Sequence, residues 1–216
     1  MKRVFGTIET IFDSSYLVFA LTIGIVLLST ASGNPARLQA GAAAFTLVVG
    51  DAFHLFPRLA LIKTGQEDKL RNALGTGKQI TSITISLFYL LLWQVGLLVH
   101  SPKDINTWSL LLYALTAVRI ILCLLPQNHW RDRFPPVAWG ILRNIPFFLQ
   151  GLLVAGLFFV NRNPVPGLAS MWLAIILSFA FYLPVVLWVN KNPKIGMFML
   201  PKICAYSWML MMFLSI

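Results

Sequence analysis

Hydrophobic residues in this chain fall into seven long runs separated by short polar segments. The runs cover about 16–28, 38–62, 80–99, 107–125, 136–160, 168–189 and 196–215, and most are close to the roughly 20 residues that a helix needs to cross a bilayer. Helix-stopping residues mark the connections, as in Ser32-Gly33-Asn34-Pro35 and in the segment from Gly65 to Gly77. The pattern predicts an all-α fold: a single domain, 1–216, built as a bundle of seven transmembrane helices.

The first hydrophobic run follows a basic start and precedes a stretch of small residues, an order that also occurs in secretory signals. Glu9 and Asp13 interrupt the usual sequence of a basic segment followed by an apolar one. We therefore interpret this run as the first transmembrane helix.

Composition supports a membrane class. Hydrophobic residues make up 58% of the 216 residues and charged residues 11%, with a mean hydropathy of +0.77, whereas soluble domains carry about 25% charged residues. The sequence thus predicts a polytopic integral protein of the cell membrane. The excess of 17 Lys and Arg over 7 Asp and Glu would indicate nucleic acid in a soluble protein. In a membrane protein it indicates cytoplasmic loops and anionic membrane lipids, so we expect membrane lipids and no nucleic acid as partners.

The distribution of basic residues predicts the orientation. Cytoplasmic loops of membrane proteins carry the excess of Lys and Arg. One side of the predicted bundle holds ten: Lys2, Arg3, Lys63, Lys69, Arg71, Lys78, Arg131, Arg133, Lys191 and Lys194. The other side holds Arg37, Lys103 and Arg162. We predict a cytoplasmic N-terminus and a C-terminus outside.

The segment from Gly50 to Arg58 places ionisable groups inside the second run. Such groups at membrane depth usually face a protein interior or a wet cavity and indicate a site. At about 100° per residue, Asp51, His54 and Arg58 can all face one cavity. Asp51 and His54 are our candidate catalytic pair, with His54 activating water or moving a proton. The alternative is a structural contact that holds helices together.

The predicted topology places the charged residues of several spans at one depth. Spans that run in opposite directions bring their polar residues into the same, cytoplasmic half. We therefore predict a polar, net-basic cavity that opens to the cytoplasm and binds an anionic small molecule or lipid headgroup. The alternative is that the long basic side chains reach the headgroup region. The candidate ligand-binding residues are Arg58, Lys78, Gln79, Arg119, Arg143, Asn144 and Lys202.

The stretch from Gly75 to Ser82 is similar to a phosphate-binding loop but departs from that pattern. A Walker sequence requires glycine where Asn72 stands and Ser or Thr where Gln79 stands. Two glycines, a lysine and two hydroxyls at a helix N-terminus could still hold an anion through free amides. A flexible turn followed by a lysine that reaches the headgroups is an equal alternative.

The remaining residue types give mainly negative expectations. The histidines and the two cysteines show no ligand spacing typical of a metal site, so we expect no metal and no cofactor. The seven tryptophans lie largely near the ends of the predicted spans, which is typical of interfacial belts.

The segment from Gly41 to Asp51 resembles the membrane-embedded lysoplasmalogenase-like family, in which a second helix rich in small residues ends its core in Gly-Asp. The resemblance implies an intramembrane hydrolase that acts on lysolipids, with Asp51 among its polar site residues. That family usually has eight spans, whereas the hydrophobic pattern here predicts seven.

Three classes of function follow from the sequence. The first is a cavity that binds an anionic amphiphile or small metabolite, with hydrolysis of a lipid as the reaction if the protein is an enzyme. The second is a transporter or proton-coupled carrier with Asp51 and His54 as the relay. The third is a non-catalytic receptor or scaffold whose buried charges specify packing.

Overall fold

A computed structural model describes residues 2–103, 105–163, 165–189 and 191–216. Seven α-helices account for most of them, and no strand occurs within the described ranges, which confirms the predicted all-α class. The helices are α1 (Lys2–Ser29), α2 (Pro35–Thr64), α3 (Glu67–His100), α4 (Asn106–Leu124), α5 (Val137–Val160), α6 (Met171–Trp188) and α7 (Met199–Met212). Short 3-10 turns lie at Pro126–Asn128, Pro166–Leu168, Pro193–Phe198 and Phe213–Ser215.

Seven segments are long and apolar enough to cross a membrane, with lengths of 19 to 34 residues. Many of their apolar side chains point outward: Leu110 is 70% and Val160 77% exposed. In lipid, a helix satisfies all of its backbone hydrogen bonds internally and an outward apolar face has no cost. The fold therefore indicates a multi-pass membrane protein.

The connection between α2 and α3 is shorter than the sequence predicted. Gly65 ends α2 in the left-handed conformation, at a φ of 70°, and α3 begins at Glu67. Glu67 and Asp68 occupy the first turn of α3, where negative charges interact favourably with the helix dipole. The predicted loop from Gly65 to Gly77 is thus wrong, because most of it is a polar extension of α3.

The helices form a closed ring in which α1 contacts both α2 and α7, and α3 also packs against α5. The interior of α3 carries large buried side chains, including Phe88, Tyr89 and Trp93. Gln150 of α5 donates to the carbonyl of Ser86 at 3.0 Å and to the Thr116 hydroxyl at 2.8 Å. These bonds join α5 to α3 and α4 in the middle of the bundle.

Consecutive helices alternate in direction, so the bundle has two distinct ends. At one of them α1, α3, α5 and α7 begin and α2, α4 and α6 end. We call it the basic end, because the segments there carry most of the basic residues, among them Lys63, Lys69, Arg131 and Lys191.

Candidate functional site

A cavity of about 270 Å³ lies within the basic end of the bundle. Residues from α2 to α7 and from the loop between α4 and α5 line it. Six of the residues that the sequence predicted are among them: His54, Lys78, Arg119, Arg143, Asn144 and Lys202. The cavity is slightly smaller than typical ligand pockets, which are about 300–1,000 Å³, so it has room for a small polar group.

Arg119 is the most deeply buried cation of the cavity wall, with 1% of its surface exposed. Its guanidinium carbon lies 3.6 Å from the centre of the Phe147 ring. Its Nε donates to the carbonyl of Ser82 at 3.3 Å, and its Nη1 to Oδ1 of Asn144 at 3.4 Å. No carboxylate of the described residues pairs with this guanidinium, although burying a charge without a counter-charge is expensive.

Asn144 and Tyr182 together lie between two of the cations, Arg119 and Lys202. The Oδ1 of Asn144 also accepts a hydrogen bond from the Tyr182 hydroxyl at 3.1 Å, and the Nδ2 of Asn144 donates to the carbonyl of Gly140 at 2.8 Å. The ammonium of Lys202 lies 4.6 Å from the centre of the Tyr182 ring and 5.1 Å from that of Tyr206. Lys202 of α7 and Arg119 of α4 therefore lie on the two sides of one Asn144–Tyr182 contact.

Arg143 is held by the loop that joins α4 to α5. Its guanidinium carbon lies 4.0 Å from the centre of the Trp130 ring, and Nη1 donates to Oδ1 of Asn128 at 2.8 Å. Asn128 is fully buried and donates to the carbonyls of Leu122 and Leu125. These bonds satisfy free carbonyls at the end of α4 and position the loop over the cavity.

The carboxylates of the described residues lie elsewhere. Four of them face basic partners, in the pairs Glu9–Arg58, Asp68–Arg71, Glu67–Arg133 and Asp132–His129. Asp51 accepts a hydrogen bond from Tyr16 at 2.7 Å, and Asp13 is buried on α1. No acidic side chain of the described ranges lines the cavity, so its four cationic residues have no anion beside them in the wall.

The other predicted site residues have structural contacts outside the cavity. Asp51 interacts with Lys202 electrostatically, but its hydrogen bond goes to Tyr16 of α1. Arg58 pairs with Glu9. Gln79 donates to the carbonyl of Cys123 at 3.2 Å and so joins α3 to α4.

The proposed pairing of Asp51 with His54 has no hydrogen bond in this structure. The buried Nδ1 of His54 has no partner among the described residues, while the Asp51 carboxylate is bonded to Tyr16. A base that is oriented by an acid requires the two groups within hydrogen-bond reach. The observed arrangement does not provide this contact.

The two glycines before Lys78 serve in packing. A Cβ at Gly75 would lie 2.5 Å from the carbonyl oxygen of Trp130, and one at Gly77 would collide with the carbonyl of Phe53. Both positions lie inside the continuous helix α3, where backbone amides are already bonded. The interpretation of this stretch as a helix N-terminus with free amides is therefore wrong.

Several aromatic residues of the site were not predicted from the sequence. Trp130 was assigned to an interfacial belt, but it is 9% exposed, lines the cavity and donates to the carbonyl of Cys123. Trp93, also assigned to the belt, is 1% exposed. Tyr182 was missed altogether. The available signal was its hydroxyl, since it is the one tyrosine in the apolar helix α6.

The wall of the cavity also has an apolar part. It is formed mainly by the end of α6 and the starts of α5 and α7, with Val137, Val185, Val186, Val189 and Met199. A second, larger cavity of about 450 Å³ lies between α2 and α3, and Arg131 is its one charged lining residue among those described. The first cavity is therefore the stronger candidate site, because it combines four cations with an apolar wall.

Comparisons with known proteins do not assign this chain to a family. No protein-family model, no curated protein and no solved structure matches this chain. The fold is all-helical, and its seven candidate spans indicate a multi-pass membrane protein with a basic cavity at one end.

Proposed function

We propose that the cavity at the basic end binds the negatively charged group of an amphiphile or small metabolite. The observation that carries this proposal is that Lys78, Arg119, Arg143 and Lys202 line one cavity in which no described residue supplies a carboxylate. Two unit charges about 5 Å apart interact with about 3 kcal/mol at an effective dielectric constant of about 20. A bound anion would compensate several such cations at once.

The apolar wall supports an amphiphile as the ligand. The headgroup would lie against Arg119, Arg143 and Lys202, and the hydrocarbon would lie along Val185, Val186 and Val189 at the end of α6. Membrane lipids and lysolipids combine a headgroup with a hydrocarbon chain. The resemblance of 41–51 to lysoplasmalogenase-like proteins agrees with a ligand of this kind.

Binding is better supported than hydrolysis. A hydrolytic mechanism would use His54 as a base, yet Asp51, which would orient it, is bonded to Tyr16. The arrangement supplies donors for an anion through its four cations, and we assign no reaction to it.

For the membrane, we propose insertion into the cell membrane with the basic end and the N-terminus in the cytoplasm. The excess of Lys and Arg at that end supports this orientation. Lys69 and Arg162 belong to opposite ends of the bundle. On intact cells, an impermeant thiol reagent should label a cysteine introduced at Arg162 and should not label one introduced at Lys69. Labelling of position 69 alone would contradict the proposed orientation and support the opposite one.

The binding proposal is tested by calorimetric titration of the purified protein in a nonionic detergent with an anionic amphiphile such as monodecyl phosphate. We expect saturable binding that Lys78→Met and Lys202→Met each weaken. Lys63→Met is the matched control, since Lys63 is an exposed lysine of the basic end outside the cavity wall. Equal affinities of Lys78→Met, Lys202→Met and Lys63→Met would contradict the proposed site.

A further inference from the structure

We infer that the group bound in the cavity is a phosphate monoester, in preference to a carboxylate, a phosphodiester or a neutral headgroup. The inference rests on the proposed function, because it names the chemistry of the ligand for the same site. Three features of the wall support it: its charge, its free donors and the way in which its hydroxyls are used.

The first feature is charge. Four cationic side chains line the cavity, and no carboxylate of the described residues does. Outside the wall, Asp51 interacts electrostatically with Lys202 and Glu67 with Lys78, so the two guanidiniums, of Arg119 and Arg143, are the cations without a carboxylate partner among the described residues. A carboxylate or a phosphodiester brings one negative charge and would compensate only one of these two guanidiniums. A phosphate monoester carries about −1.5 to −2 charges at neutral pH, because its second pKa is about 6. The monoester therefore matches the cavity better than either monoanion.

The second feature is the supply of free donors. Lys78 and Lys202 have no hydrogen-bond acceptor among the described residues: the ammonium of Lys202 lies against the rings of Tyr182 and Tyr206 and interacts with Asp51 electrostatically, without a hydrogen bond. Arg143 uses Nη1, and Arg119 uses Nε and Nη1 in two long bonds. Each guanidinium therefore keeps donors for a ligand. A monoester has three terminal oxygens to accept from them, whereas a carboxylate or a diester has two.

The third feature is that the hydroxyl groups of the wall are already engaged. Thr81 donates to the carbonyl of Gly50 at 2.6 Å, Ser82 to that of Lys78 at 2.8 Å, and Tyr182 to Asn144 at 3.1 Å. An uncharged headgroup would have to compete for these hydroxyls. An anion can instead use the charged donors, whose hydrogen bonds are shorter and stronger.

The test compares ligands that share one chain. Monodecyl phosphate, its methyl diester and decanoate are titrated into the purified protein in a nonionic detergent at about pH 7.5, where the monoester is mainly a dianion. We expect the monoester to bind at least about tenfold more tightly than the diester or decanoate. Inorganic phosphate is the fourth ligand. If it binds more weakly than monodecyl phosphate, the decyl chain contributes to binding, which would assign the site to an amphiphile.

The outcomes separate the two proposals. Equal affinity for the monoester and its methyl diester would overturn this inference and leave anion binding intact. If none of the three decyl compounds binds, the proposed function fails as well. Inorganic phosphate binding as tightly as monodecyl phosphate would support the monoester chemistry and identify a free phosphate compound as its source.

A variant tests whether the preference arises in this cavity. Lys202→Met keeps the length of an apolar side chain against Tyr182 and Tyr206 and removes one charge. We expect this substitution to weaken binding of the monoester more than binding of the diester, and so to reduce the ratio of their affinities by about threefold or more. Lys63→Met should leave the ratio unchanged. An unchanged ratio in folded Lys202→Met would contradict the inference.

Discussion

Gly75 is the position at which α3 touches the loop that carries Trp130. A methyl group there would lie 2.5 Å from the carbonyl oxygen of Trp130 and 2.8 Å from Cα of Arg131. Both are backbone atoms, so neither can move away by a side-chain rotation. We predict that Gly75→Ala displaces the loop from α3 and moves Trp130, on which Arg143 is stacked.

The size of the effect follows from two opposing terms. Overfilling a packed contact costs about 1–3 kcal/mol, and the contact with backbone places Gly75→Ala near the upper value. Alanine stabilises a helix interior by about 1 kcal/mol relative to glycine. The net loss in the free energy of unfolding is therefore about 2 kcal/mol.

Gly156→Ala is the matched control. Gly156 is exposed on α5, and nothing would lie within 4 Å of an added methyl group. The same substitution should therefore stabilise the protein by about 0.5–1 kcal/mol. The two variants should differ by about 2.5–3 kcal/mol in the free energy of unfolding.

The assay is unfolding of both variants in the same nonionic detergent, followed by titration with monodecyl phosphate. Gly75→Ala should unfold more readily than Gly156→Ala and bind the amphiphile more weakly, because Arg143 loses its position. Equal stabilities would refute the packing of the loop on α3. A destabilised Gly75→Ala that binds as well as the unsubstituted protein would show that the loop does not position Arg143.

Three further outcomes are expected. Tyr16→Phe removes the hydrogen bond to the Asp51 carboxylate and should lower the free energy of unfolding by about 1–3 kcal/mol. Tyr113→Phe is the control and should lower it less, because the hydrogen bond between Gln94 and Tyr113 is exposed. A double-mutant cycle on Glu9→Gln and Arg58→Met should give a coupling of at most about 1 kcal/mol, because the Arg58 side chain is 45% exposed and water screens the pair; a coupling of several kcal/mol would contradict a solvent-screened pair. A ligand at about 100 times its dissociation constant should stabilise the protein by about 2.7 kcal/mol, and an unfolding temperature that does not change with ligand would count against specific binding.

Much of the site could be predicted because membrane depth follows from topology. Once the runs are assigned alternating directions, Lys78, Arg119, Arg143 and Lys202 fall at one end whatever the lateral arrangement of the helices. All four line the cavity in the structure. Arg58 satisfied the same criterion but pairs with Glu9, since depth alone does not specify which neighbour a side chain faces.

The stretch before Lys78 shows the opposite case. Two glycines beside a lysine are locally compatible with a turn, an anion site or a helix, and their local pattern favoured a connection. The tertiary structure uses the absence of a Cβ at Gly75 and Gly77 to bring α3 against the loop after α4 and against α2. This contact is between segments distant in sequence, so no local pattern reports it.

The sequence by itself determined the helical class, the seven apolar segments and the end at which positive charge collects. These properties are local, since a segment in lipid must satisfy its own backbone and be long enough to span it. Only the tertiary structure decided that Asp51 bonds to Tyr16 and leaves His54 without a partner, and that Trp130 covers a cavity. Those contacts depend on how each helix is rotated about its axis and which helix lies beside it, and hydrophobicity distributed around most of a membrane helix specifies neither.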